Sequence, residues 1–416
     1  MSEKEMQVPF LRPHLGEKEI EEVVNTLRSG WLTSGPKVKR FETDFAAAVN
    51  AKHAVALNSC TAALHLAVEA LNLKPGQVVL VPTMTFAATA EVVRYQGAIP
   101  LLVDCDEVTN NIDLEDAERK LQQLRAGKFK GSMQAEMSVV GIIPVHVGGL
   151  MMNVDEVQNF ADKHDLWVVE DAAHAFPAAW RSGPRSDWQQ CGANTARVSC
   201  FSFYANKTIT TGEGGMATTN DSELADRIRL MSLHGLSHSA WGRYSGSGSW
   251  DYQIIAPGFK YNLTDIAAAI GIHQLAKAEQ MRLERESIAH QYLRAFAGVE
   301  ELSLPQVDEN RIQSWHLFPI RLQLDKLRIS RSDFMIELKS AGVGCSVHWR
   351  PLHLHPYYED QFGWQPTHFP VATKLWNQFV SLPIFPGMRP EEIDYVVRTI
   401  ERLCQAYSKS KAALVA

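Results

Sequence analysis

Short, almost unbroken apolar runs recur along the first half of the chain, separated by stretches of helical periodicity. This alternation limits the possible fold more than any other feature of the sequence. The runs cover 54–57, 78–81, 99–103, 139–145, 167–169 and 198–203, each bounded by turn residues. Between them, apolar residues return at helical spacing, as in Leu64, Val68 and Leu71, or Val154, Val157 and Ala161. Ahead of them, Ile20, Val23, Val24 and Leu27 mark a helix over 17–29. Strands that are apolar on both faces and alternate with helices predict an α/β fold, its sheet mostly parallel and covered on both sides.

The alternation fades after residue 203. Residues 181–196 are polar and rich in turn formers, which predicts a surface insertion; the Gly- and Ser-rich stretch 237–249 predicts a mobile loop. From 262 to 296 the pattern is long and helical, with Ile266, Ile270 and Leu275 in phase. A strand over 316–322 and a helix over 331–340 then predict a smaller α+β domain. A length of 416 residues allows two or three domains at roughly 150 residues each. The patterns divide the chain into a large domain over 1–280 and a small one over 281–416.

Composition removes several classes of function. A net charge of −6 provides no global basic field for nucleic acid or for an anionic membrane. None of the six cysteines forms a C-x-x-C pair, so no zinc ribbon or thioredoxin-like site is expected, nor any other metal site. Sparse cysteine fits a reducing compartment. The opening MSEKEMQVPFLRP lacks the apolar region of a secretory signal, and no run approaches the ~18 apolar residues of a membrane helix. The expectation is a cytoplasmic chain with neither nucleic-acid nor membrane partners.

In open α/β sheets, ligands bind beyond the carboxyl ends of the strands. Four such ends carry suggestive residues. At LNSCTAAL a strand runs into a helix start, where free N–H groups and the positive helix end suit a phosphate; Ser59 or Thr61 either adds a hydroxyl or simply caps the helix. At WVVEDAAH, Asp171 either keeps a ligand's ring nitrogen protonated or caps the next helix, and His174 either bonds a ligand oxygen or packs. At CFSFYANKTITTGEGGM, Lys207 follows a buried strand and precedes a glycine turn. A dry pocket there would depress its pKa and make it a nucleophile. At PTMTFAATA, Phe86 either stacks on a flat ring or belongs to the core.

Together these segments resemble the DegT/DnrJ/EryC1/StrS family of pyridoxal phosphate (PLP)-dependent sugar aminotransferases. The resemblance runs nearly end to end, from VPFLRPHLGEKEIEEVV and LRSGWLTSGPKVKRFE to GFKYNLTDIAAAIGIHQL, SVHWRPLHLHPYY and VSLPIFPGM. It implies a type I PLP-enzyme fold, with a mostly parallel seven-stranded sheet and a smaller C-terminal α+β domain. By position, Lys207 matches the lysine that holds PLP as a Schiff base, and Asp171 the acid that pairs with the ring nitrogen. Ser202, Cys60 and Thr61 match phosphate-binding positions, Phe86 the ring-stacking aromatic, and His174 a polar neighbour of the cofactor. Asn262 matches a residue that reaches the phosphate from the other subunit, which implies a homodimer with shared sites. Trp31, Thr33, His348 and His353 fall in regions that line the sugar pocket. The family often has Gly where this chain has Cys60, and 181–196 is longer than its pattern.

The resemblance further implies amino transfer from an amino acid, L-glutamate, to a keto-sugar nucleotide, with Lys207 moving the proton. VHWRPLHLHPYY looks more like relatives that aminate C4 of a 4-keto-6-deoxyhexose than those acting at C3. Relatives with an aminated cyclitol or aromatic product are a further alternative. Sugar dehydratases of the same fold carry histidine in place of the lysine, and Lys207 speaks against them. A non-catalytic PLP-binding regulator would usually add a DNA-binding module, and no such segment is evident.

Overall fold

The structure is a computed structural model describing residues 6–129, 137–193, 196–237 and 252–412. Of the stretch 237–249 expected to be a mobile loop, all but Ser237 lies outside the described residues. Its centre is a seven-stranded sheet in the order His53–Leu57, Gly215–Thr219, Val198–Ser202, Trp167–Asp171, Val139–Ile142, Val78–Pro82, Ile99–Val103. The last five of these strands run parallel, whereas Gly215–Thr219 is antiparallel to both of its neighbours. Val78–Pro82 and Ile99–Val103 are buried along their whole length, as strands covered on both faces must be.

Several boundaries differ from the sequence reading, each for a local reason. The fourth run stops at Ile142, two residues before Pro144, which has no N–H to donate to a ladder. The helical stretch beyond 262 is two helices, Asp265–Ala276 and Ala278–Phe296, because Lys277 takes φ −113° and ψ 10° between them. The strand expected over 316–322 is Phe318–Leu322, which leaves His316 outside the ladder.

The segment expected as a surface insertion is tied into the fold. Gln189–Gln190 pairs with Ala179–Trp180, which pairs in turn with Arg311–Ile312. Cys191 and Ala193 are buried beneath it. A turn-rich composition does not reveal that a short hairpin has a third strand waiting elsewhere in the chain.

A second apolar core lies around Phe318–Leu322 and its neighbour Phe379–Leu382. It is built from Tyr292, Phe296, Phe334, Val396 and Leu403, with Val8 from the N-terminal segment. Leu352, Tyr358, Phe369 and Leu375 instead pack into the core of the large sheet. The C-terminal third of the chain therefore turns back over the carboxyl edge of the sheet and roofs what lies there.

Candidate active site

A cavity of about 450 Å³ opens at that carboxyl edge. Parallel strands bring Asp171 and Ser202 to the same edge, and the antiparallel strand starts there, with Gly215 paired to both Ser202 and Leu57. Gly215 has to be small. A Cβ there would sit 2.4 Å from the Ser59 carbonyl carbon and 2.5 Å from the Cys60 nitrogen. Its strand can thus lie directly against the start of helix Cys60–Ala70.

At that helix start Ser59 serves as the cap and also lines the cavity, as Thr61 does. Ser59 is the N-cap, its Oγ accepting from the Ala62 N–H at 3.1 Å. Cys60 and Thr61 are the first helical residues, so their N–H groups have no acceptor within the helix. Both line the cavity, as does Ser202. Burial drives the Cys60 thiol well above its ordinary range, so it stays neutral.

Lys207 lines the same cavity as this helix start. The chain turns tightly before it, with its N–H donating to the Tyr204 carbonyl at 2.9 Å. The hydroxyls that follow brace the loop: Thr208 donates to the Phe176 carbonyl, and Thr210 to the Phe203 carbonyl at 3.1 Å. Among the described residues, no hydrogen bond or ion pair engages the Lys207 amine. Burial lowers its pKa to about 8, although Asp171 pulls the other way. Free amine is therefore available at moderate pH.

Asp171 is buried on the cavity wall. Its Oδ2 accepts from Thr89 Oγ1 at 2.8 Å and its Oδ1 from the Ala173 N–H at 3.1 Å. Burial pushes its carboxyl above the usual range, against the pull of these donors and of Lys207. His174 is fixed in one tautomer. Its Nδ1 accepts from the Gly148 N–H at 3.2 Å, so the neutral ring carries its proton on Nε2. Burial first, then Lys207, drives this imidazole well below its ordinary range. Phe86 is 61% exposed at the cavity, which excludes a core role for it.

The sheet edge, the open helix start, an amine without a hydrogen bond among the described residues and a buried acid set the terms for comparison with known proteins. The model of the DegT/DnrJ/EryC1/StrS aminotransferase family matches residues 13–401. The chain belongs to that family. It is 42% identical over 394 residues to the spore coat polysaccharide biosynthesis protein SpsC of Bacillus subtilis, covering 94% of this chain and 96% of SpsC. It is 43% identical over 400 residues to the uncharacterized protein MJ1066 of Methanocaldococcus jannaschii, covering 96% and 98% of the two chains. Among solved structures it resembles the PMP-form of the putative sugar aminotransferase Spr1654 from Streptococcus pneumoniae. That match has a TM-score of 0.85 at 30% identity and covers 96% of this chain and 98% of Spr1654. The PLP-form of Spr1654 matches as well, again with a TM-score of 0.85.

In this family member, Cys60, Thr61, Phe86, Asp171, His174, Ser202, Lys207 and His348 all reach one cavity. Four other sequence-derived candidates do not. The Trp31 indole N–H donates to the Ser34 carbonyl at 3.2 Å, and the Thr33 carbonyl accepts from the Asp265 N–H at 3.2 Å. The first bond lies within the segment; the second, with the Gly35 N–H on Asp265 Oδ1 at 2.8 Å, ties it to the start of helix Asp265–Ala276. Asn262 Nδ2 donates to Ser34 Oγ at 2.7 Å on the same side. His353 is buried and fully engaged. Its Nδ1 lies 2.7 Å from Thr83 Oγ1, its Nε2 lies 2.9 Å from Thr373 Oγ1, and its ring stacks on Phe369. A pattern rich in histidine does not tell which ring faces a ligand.

Residues that the sequence reading passed over complete the wall, above all Thr85, Tyr204, His316 and Trp349. Trp349 stacks on His174 with ring centres 4.9 Å apart. The available sign was Trp349's place beside His348; His316 stood inside what read as a strand.

Proposed function

We propose that this chain is a PLP-dependent transaminase that moves an amino group from L-glutamate to C4 of a nucleotide-linked 4-keto-6-deoxyhexose. The observation that carries the reading is the unpaired Lys207 amine in the same cavity as buried Asp171 and the free N–H groups of Cys60 and Thr61. The residues present fit PLP. The helix start, with Thr61 and Ser202, supplies donors for a phosphate, exposed Phe86 offers a face for a flat ring, and Asp171 offers a carboxylate for a ring nitrogen. When bound, PLP supplies an electron sink for the carbanion formed at the donor's Cα.

The chain's own groups do the rest. Lys207 would hold the cofactor through its amine and, as a base with its pKa lowered to about 8, would move the proton at the donor's Cα. Asp171 keeps the ring nitrogen protonated, held in place by Thr89 and the Ala173 N–H. His174 offers its Nε2–H toward a cofactor oxygen because Gly148 occupies its other nitrogen. Trp349, stacked on His174, helps exclude water.

Asn262, Trp31 and Thr33 serve the cavity of a second copy in this reading, which makes the active unit a homodimer. Their absence from the cavity of their own chain supports this, as do Tyr252, Ile254 and Ile255, which stand 45%, 71% and 62% exposed in the segment leading to Asn262. The choice of C4 rests on VHWRPLHLHPYY alone. Amination at C3 or of a cyclitol would keep every role given above, and a PLP-binding regulator would keep the cofactor without turnover.

The deciding experiment is a panel of 4-keto and 3-keto nucleotide sugars with L-glutamate as donor. Product amine and released 2-oxoglutarate are followed together. The protein should be yellow with PLP, and borohydride should fix the label on Lys207. Colourless protein without label would refute the cofactor; amination of 3-keto sugars alone would refute C4.

A further inference from the structure

His316 is held at the cavity by a structure that leaves its ring unsatisfied. The residue is 4% exposed, and neither ring nitrogen has a hydrogen-bond partner among the described residues. A buried polar group without a partner is costly and rare in native proteins. The ring lines the cavity together with Lys207 and His348, and its centre lies 4.2 Å from that of His174.

The backbone around it is bent to put it there. Trp315 has φ +48°, a left-handed conformation that an aromatic residue adopts only when its surroundings enforce it. The turn sends the Trp315 side chain into the second apolar core and His316 the opposite way, into the cavity. The neighbours are pinned. Ser314 Oγ donates to the His174 carbonyl at 2.5 Å, Ser314 N–H to the Gly149 carbonyl at 3.3 Å, and Leu317 N–H to the Gly148 carbonyl at 3.3 Å. Gly149, at φ +98°, permits this approach, since a Cβ there would meet Ser314 Oγ at 1.9 Å. The imidazole is left with both nitrogens open; Arg285 Nε beside Trp315 and Asn206 Oδ1 on the cavity wall are further buried polar atoms without a partner among the described residues.

We infer that His316 is a specificity-determining residue that hydrogen-bonds a hydroxyl of the sugar acceptor, and not the carboxylate of the amino donor. Two open nitrogens at the cavity decide between the two, because a carboxylate only accepts and would leave one of them unsatisfied. Burial first, then Lys207, Arg285 and His348, drives the ring well below its ordinary range, which agrees with a neutral imidazole. A neutral imidazole presents one N–H donor and one acceptor nitrogen, the complement of a hydroxyl, which also donates and accepts. The inference rests on the aminotransferase reading above.

The test separates the two half-reactions. Holoenzyme with His316→Leu and with His316→Gln is compared with wild type by stopped-flow absorbance, first with L-glutamate and then with thymidine diphosphate 4-keto-6-deoxyglucose and its uridine counterpart. Calorimetry of the same nucleotide sugars on cofactor-free protein gives Kd without turnover, and thermal denaturation reports folding. For His316→Leu, the glutamate half-reaction should stay within about twofold, while sugar affinity falls about tenfold or more, in line with one lost hydrogen bond. His316→Gln, which keeps a donor and an acceptor, should recover most of that loss. An equal fall in both half-reactions, or no fall in sugar affinity, would overturn the inference. Wild-type protein that binds the nucleotide sugar but is not bleached by glutamate would instead sink the transaminase reading, and the His316 binding difference would remain measurable.

Discussion

Thr89 Oγ1 donates to Asp171 Oδ2 at 2.8 Å, and both residues are buried. This bond and the Ala173 N–H are what hold the carboxylate still beside Lys207 and favour its charged form against burial. Thr89→Val removes the donor with little change of shape, so the Asp171 carboxyl should titrate higher still. The acid limb of the pH profile should therefore move to higher pH, and the glutamate half-reaction should slow about tenfold, as for a bond to a charged group. Stopped-flow rates between pH 5 and 9, run on both proteins, check this; an unmoved acid limb counts against Asp171 as the group observed.

Lys207 should react as free amine. With its pKa lowered to about 8, the rate of PLP uptake by cofactor-free protein should rise with pH and level off above about 8. A lysine with an ordinary pKa would keep gaining rate beyond pH 10. Lys207→Ala should bind PLP only non-covalently and release it on dialysis. A plateau displaced to pH 10 would mean that burial does not tune this amine.

Asn262 is the proposed contribution of the partner subunit, and complementation tests it without assuming a contact. Lys207→Ala and Asn262→Ala homodimers should each be inactive or weak. Mixed by denaturation and refolding, they should recover about a quarter of wild-type activity, because half of the dimers are mixed and each mixed dimer has one intact site. Asn262→Ala alone should retain PLP poorly at an unchanged melting temperature. No recovery on mixing would place the function of Asn262 within its own chain.

His353 should behave as a structural residue. It bridges Thr83 and Thr373 from a buried position, so His353→Ala removes one hydrogen bond from each hydroxyl, leaving Thr83 the backbone N–H of residue 353 and Thr373 the Pro366 carbonyl, and opens a void beneath Phe369. A loss of about 2–4 kcal/mol is expected, with a fall in melting temperature of several degrees. KM for the sugar at low temperature should change less than about twofold. A large KM effect in a stable variant would restore His353 to the sugar pocket.

The cavity floor was legible in the sequence because it lies where strands end. Asp171, Ser202, Cys60 and Thr61 each sit at a junction of apolar run and turn, and parallel strands bring such junctions to one edge. The roof was not. His316, His348 and His353 come from the C-terminal third of the chain. There, short strands and loops have no period that says which way a ring points, and only the packing of Trp315 and Phe369 decides it.

The sequence by itself determined the sheet, its covering helices, the helix start after Leu57 and the amine beyond the strand, because those follow from hydrophobic period and local turn chemistry. Only the tertiary structure decided that His353 is sealed in the core and that His316 stands unpartnered at the cavity among the described residues. Each depends on contacts between residues far apart in the chain, or on one backbone torsion, and neither leaves a mark on local pattern.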